Sequence, residues 1–149
     1  MPVVYVSGVP TTIQPVDMVQ LRRVIQTAVM GVEELQIEAL DWTSVYFLAQ
    51  HHCDTEDPQR IVIEVAGLFR GDDWPERTPA VRQKLASQLG QMVGAFITAL
   101  QQRRLGCGSV RMIEVLEWPF DTTLSDPLGG VDVPSGRQGY FSIELNNAS

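Results

Sequence analysis

Two short apolar stretches decide the fold: residues 3–9 read Val-Val-Tyr-Val-Ser-Gly-Val, and residues 62–68 read Val-Ile-Glu-Val-Ala-Gly-Leu. They align without gaps, and each places a run of mostly β-branched residues before a glycine. Such runs are typical of buried strands, and the glycine ends the run. The match indicates an internal duplication, with a chance alignment of apolar-rich segments as the alternative.

Each stretch is followed by a segment with helical periodicity. After Val16, apolar residues recur every three to four positions, and a longer helix is predicted over residues 79–105, between an opening proline and Gly106. Gly90 and Gly94 lie inside this second helix, where they indicate either a close approach by a neighbouring element or two tolerated glycines. Strands are predicted at residues 43–48 and 109–116, and a strand-like run at residues 140–145.

The order of these elements predicts an α+β domain. We expect two tandem β-α-β units that form a four-stranded sheet with two helices on one face. The prediction is one domain over residues 1–149, with units at 1–58 and 59–119 and a C-terminal tail at 120–149. Because the second sheet face would be bare and apolar, a homo-oligomer is expected.

Composition excludes several classes of function. The 149 residues carry a formal charge of −7, which disfavours nucleic acid as a partner, and no apolar run predicts a membrane span. With two cysteines no disulfide framework is expected, which favours the cytoplasm. No metal site is predicted. Residues 51–54 are of metal-binding types, but adjacent side chains on an extended chain point in opposite directions and rarely bind one ion. No nucleotide or phosphate motif is present in the sequence, and no cofactor is expected.

Met1-Pro2 directly before a strand, the twofold repeat and the length resemble the tautomerase superfamily. That superfamily includes 4-oxalocrotonate tautomerase, 5-carboxymethyl-2-hydroxymuconate isomerase and cis-3-chloroacrylic acid dehalogenase. The resemblance implies a trimer without a cofactor and, after removal of Met1, catalysis by the Pro2 amine. An amine buried in an apolar pocket beside arginines has a lowered pKa, so it can act as a base near neutral pH.

The same resemblance implies a small carboxylate substrate. Arg70 lies where the dehalogenase-like relatives bind a carboxylate, and Arg77 is the second candidate; both also fit as solvated loop residues. Glu117 is a candidate proton-transfer residue and Trp118 a candidate pocket wall, or they are an ordinary strand-end carboxylate and a core aromatic.

The sequence also departs from the family. Residues 7–14 contain no arginine, and the first helix contains no histidine, which argues against dehalogenation. Whether the protein is an enzyme therefore stays open at this point. One interpretation is a tautomerase or isomerase acting on a 2-oxo or enol carboxylate. The other is a catalytically inactive member that binds a ligand or a partner protein.

Overall fold

The computed structural model describes residues 2–48, 59–68, 79–118 and 139–145. Within them lie two α-helices, five strands and two short 3-10 helices at Glu33–Leu35 and Leu40–Trp42. The strands and α-helices, in chain order, are β1 (Val3–Ser7), α1 (Pro15–Met30), β2 (Ser44–Phe47), β3 (Arg60–Ala66), α2 (Pro79–Gln102), β4 (Met112–Glu117) and β5 (Tyr140–Glu144). None of the described helices is long and apolar enough to cross a membrane.

The predicted four-stranded sheet of two tandem β-α-β units is wrong. The sheet has five strands in the order β2-β1-β3-β4-β5 and is mixed. β1 pairs with β2, and β3 with β4, in parallel, whereas the pairs β1–β3 and β4–β5 are antiparallel. The strand-like run in the predicted tail forms β5, which pairs with β4 and extends the sheet.

The packing of α2 explains the fifth strand. This 24-residue helix contacts both β4 and β5. Its apolar side therefore extends past β4 and is covered there by β5. A side chain at Gly90 would overlap the ring of Phe141 on β5, whereas Gly94 meets Ile143 at an ordinary 3.5 Å. The close approach that the sequence offered as one reading of the two glycines is therefore confirmed at Gly90.

The hydrophobic core lies between the helices and one face of the sheet. Strand burial alternates with period two, as expected for a sheet packed on one side. Fully buried members include Val4 and Val6 of β1, Ile61, Ile63 and Val65 of β3, Ile113 and Val115 of β4, Leu21 and Ile25 of α1, and Leu85, Leu89 and Val93 of α2. This core fixes which strand residues face the helices.

The opposite sheet face carries polar and aromatic side chains. Tyr5 and Tyr46, adjacent on β1 and β2, stack with ring centroids 5.7 Å apart and are 36% and 53% exposed. On the same face, toward the opposite edge of the sheet, the Tyr140 hydroxyl donates a 2.7 Å hydrogen bond to Glu114. The Glu114 carboxylate also lies 3.7 Å from the Arg60 guanidinium. Among the described residues this face is therefore not a continuous apolar surface.

The central strands β1 and β3 are related by an approximate twofold axis. Val3 pairs with Ala66 and Ser7 pairs with Val62, and the alignment of residues 3–9 with 62–68 exchanges these two pairs. The aligned glycines, Gly8 and Gly67, both have a φ of +86°. The axis thus matches the sequence alignment residue by residue and supports the duplication.

Candidate functional site

One end of the sheet gathers the candidate residues Pro2, Glu117 and Trp118. At this end β1 begins, β3 and β4 finish, and β5 begins, as the pairs Val3–Ala66, Val65–Glu117 and Leu116–Tyr140 show. The adjoining first turns of α2 lie above the same end, through Arg82. The strand order therefore brings together residues that are more than a hundred positions apart in sequence.

Glu117 is the last residue of β4 and points into the core. Its side chain is 0% exposed, and its carboxylate lies 3.6 Å from Nε of Arg82, which is itself 1% exposed. Neither oxygen of Glu117 accepts a hydrogen bond from any described residue. Buried carboxyls are normally hydrogen-bonded, so the Glu117 carboxyl is unusual among buried polar groups.

The environment of Glu117 controls its ionisation. Burial raises the pKa of the Glu117 carboxyl from 4.5 to about 8, against the opposing effect of the Arg82 cation, which favours the charged form. The group therefore binds a proton at neutral pH and titrates close to it. Perturbed carboxyls of this kind are concentrated at sites of acid–base chemistry, where a proton must be both held and released.

The start of β5 closes one side of the carboxyl. The backbone N–H of Glu117 donates a 3.0 Å hydrogen bond to the carbonyl of Gly139. A Cβ atom at Gly139 would stand 2.8 Å from a Glu117 oxygen, so glycine leaves the room that the carboxyl occupies. Gln83 of α2 fixes this corner by accepting from the Gly139 N–H at 3.1 Å and donating to the Tyr140 carbonyl at 2.9 Å.

Pro2 is buried immediately before β1 at the same end of the sheet. Its carbonyl accepts a 3.4 Å hydrogen bond from the Ser44 N–H, which anchors it beside β2. Since β3 separates β1 from β4, Pro2 and Glu117 lie two strands apart, on the order of 10 Å between their Cα atoms. By strand alternation Pro2 shares the helix-facing side of the sheet with Glu117.

The other predicted residues are placed differently. Trp118 follows β4, donates its N–H to the Val65 carbonyl at 2.6 Å and is 42% exposed. Because neighbouring strand residues point to opposite faces, its indole does not share the buried side with Glu117. Arg70 and Arg77 lie outside the described residues, within the segment that connects β3 to α2.

Arg82 is the functional candidate that the sequence interpretation missed. It stands three positions before Leu85 and seven before Leu89, and it therefore lies on the buried stripe of α2. A charged residue inside an otherwise apolar helical stripe was the available signal. Arginine is rarely fully buried without a charged partner, so its position also pointed to a buried carboxylate.

Within the described ranges, no cluster of three His, Cys, Asp or Glu side chains could hold a metal ion. Cys107, between α2 and β4, is a buried free thiol, and burial raises its pKa to about 11, which makes it a poor nucleophile. Of the two buried groups with raised pKa values in the described part of the chain, Glu117 and Cys107, only Glu117 titrates near neutral pH. Comparison with models of known protein families and with curated proteins finds no match to this chain.

Proposed function

We propose that the protein is a cofactor-independent, tautomerase-like isomerase that moves a proton on a small 2-oxo or enol carboxylate. The observation that carries the proposal is Glu117, a fully buried carboxyl that lies 3.6 Å from the Arg82 guanidinium at the sheet end that also carries Pro2. The resemblance of the Met1-Pro2 start to the tautomerase superfamily supports the same chemistry.

In this proposal Pro2 and Glu117 act as base and acid. Once Met1 is removed, the secondary amine of Pro2 accepts the proton of the enol oxygen. The protonated Glu117 carboxyl gives a proton to the substrate carbon as the C–C double bond becomes a single bond. Proton return from Pro2 to Glu117 through water resets the site, so nothing is consumed. Arg70, with Arg77, would hold the carboxylate through paired hydrogen bonds.

Turnover of phenylenolpyruvate by the wild type, Pro2→Ala and Glu117→Gln tests this function. We expect the ketonisation rate to fall by about 10²-fold or more in each variant, since general acid–base groups contribute about 10²–10⁴-fold. Intact mass must first show that Met1 is absent. Glu38→Gln, an exposed carboxylate far from the sheet end in sequence, is the matched control and should keep the wild-type rate. Equal rates for all four proteins would overturn the proposal.

Self-association belongs to the same proposal, because a homotrimer would cover the aromatic side of the sheet. Self-association would also fit the second candidate function, a non-catalytic binding or interaction module in the cytoplasm. The observation that favours this function is the exposed Tyr5–Tyr46 stack; Leu48 and Trp42 are also exposed. Exposed aromatic groups of this size are typical of interaction surfaces.

A second prediction concerns the Tyr5–Tyr46 stack. Tyr46→Lys places a charge on the stack, and we expect it to shift the protein from oligomer to monomer in sedimentation velocity at about 10 µM, a concentration typical of weak subunit association. Val16→Lys, at a position on α1 that is more exposed than Tyr46, is the control and should leave the oligomer intact. A monomeric wild type, or an oligomer unaffected by Tyr46→Lys, would show that the stack is not the interface.

A further inference from the structure

The two helices begin alike, and the approximate twofold axis makes their first turns comparable. α1 starts at Pro15 and α2 at Pro79, so Met18 and Arg82 are each the fourth residue of their helix. On the strands, Val6 pairs with Phe47 and the aligned Val65 pairs with Glu117. The Met18–Phe47 pair at one end of the sheet therefore corresponds to the Arg82–Glu117 pair at the other.

The apolar pair shows what the fold itself requires at this position. Met18 and Phe47 line a cavity of about 520 Å³ together with Val9, Pro10, Thr11, Ile13, Pro15 and Leu48, none of which is ionisable. Apolar, partly buried side chains thus occupy the positions at the start of α1 and the end of β2 that correspond to Arg82 and Glu117.

A buried guanidinium beside a buried carboxyl at the corresponding position is costly for stability. Removing an ion from water costs several kcal/mol, and apolar replacements of such buried pairs are often neutral or stabilising. Here the atoms of the pair stand 3.6 Å apart, and neither Glu117 oxygen receives a hydrogen bond from the described residues. Because apolar side chains occupy the equivalent positions in the first half, a buried guanidinium beside this buried carboxyl calls for a chemical reason.

We propose that Arg82 is a positioning residue of the isomerase: its guanidinium holds the Glu117 carboxyl at the end of β4 and favours the ionised form of this carboxyl. This inference rests on the proposed function for its catalytic meaning, although the action of Arg82 on Glu117 can be tested without turnover. It separates the role of Arg82 from that of the substrate-binding candidates Arg70 and Arg77.

The surroundings of Glu117 leave this task to Arg82. Its partner on β3 is Val65, and Gly139 lies beside it just before β5; neither residue has an ionisable side chain. Tyr140, the next residue of β5, directs its hydroxyl to Glu114 instead. Among the described residues Arg82 of α2 is thus the only charge facing the carboxyl. Without it, burial alone would oppose ionisation and Glu117 would keep its proton to a higher pH.

The decisive measurement is the titration of the Glu117 carboxyl carbon by NMR in protein labelled with [¹³C]glutamate, assigned by its loss in Glu117→Gln. We expect Arg82→Met to move the titration midpoint to higher pH by about one unit or more. The midpoint of Arg82→Lys should lie close to that of the wild type, because lysine restores the positive charge. Arg22→Met, which removes an exposed arginine of α1, should leave the midpoint in place. An unchanged midpoint in Arg82→Met would overturn the inference.

Activity and folding separate the remaining outcomes. If the wild type turns over phenylenolpyruvate, the alkaline limb of its kcat profile should move with the NMR midpoint in Arg82→Met. An inactive wild type with a shifted midpoint rejects the isomerase and keeps the effect of Arg82 on Glu117. Should Arg82→Met fail to fold, Arg82→Met/Glu117→Phe, which copies the apolar pair, should fold with a urea midpoint at or above that of the wild type. A double variant that is also unfolded would show that the pair is structural and overturn the inference.

Discussion

The native protein should lose stability as the pH rises from about 5 to about 8, and Glu117→Gln should remove most of this loss. The Glu117 carboxyl has a pKa of about 8 in the folded chain and an ordinary value of 4.5. Between these values the folded protein holds a proton that the unfolded chain has released. The free energy of unfolding therefore falls with rising pH, at up to about 1.4 kcal/mol per pH unit, and levels off above the folded pKa.

Urea midpoints of the wild type and Glu117→Gln, measured at each unit from pH 5 to pH 9, check this expectation. The amide of glutamine is neutral throughout, so its curve should be nearly flat where the wild type declines. The exposed Glu38→Gln is the control, and its curve should follow the wild type. Parallel curves for the wild type and Glu117→Gln would show that Glu117 does not take up a proton on folding.

Gly8→Ala should destabilise the protein by about 3 kcal/mol or more, because two independent costs coincide there. Gly8 follows β1 with a φ of +86°, a conformation that residues with a Cβ atom rarely adopt. In addition, a methyl group at this position would overlap the backbone carbonyl oxygen of Arg60 at the start of β3. A backbone atom cannot rotate away as a side chain can, so the pairing of the two central strands would have to shift.

Chemical denaturation of Gly8→Ala against Gly108→Ala tests this cost. Gly108, in the connection between α2 and β4, has open space where a Cβ atom would lie, and its φ is not positive. We expect Gly108→Ala to change the free energy of unfolding by less than about 1 kcal/mol. A similar small change in Gly8→Ala would mean that the β1–β3 junction adapts without strain.

Glu117 and Gly8 show which properties of a residue follow from the neighbouring sequence and which depend on distant segments of the chain. Gly8 was visible from sequence, since a glycine directly after a β-branched run marks the end of a strand. Its second cost was not, because the Arg60 carbonyl reaches it across the sheet from another segment. The sequence also suggested Glu117 as a strand-end carboxylate, but its burial depends on Arg82, Gly139 and the fifth strand.

The sequence by itself determined the local elements. The β-branched runs and helical periods predicted both helices and the four strands of the two repeats, with ends that differ by a few residues. α2 stops at Gln102 rather than at 105, because Arg104 already has a left-handed φ of 57°. β4 begins at Met112 rather than at 109, after a turn in which Cys107 has a φ of 62°. Local patterns carry this information because strand and helix periods are properties of neighbouring residues.

Only the tertiary structure decided the strand order, the addition of β5 and the partner of Glu117. Residues 140–145 have a strand pattern, but nothing local states which edge they join; the long apolar side of α2 and the small Gly90 select the edge beside β4. Likewise, Arg82 and Glu117 are 35 positions apart in the sequence, and only the packing of α2 on the sheet brings them to 3.6 Å. Long-range pairing of this kind depends on the shapes of whole elements, which no local window of sequence contains.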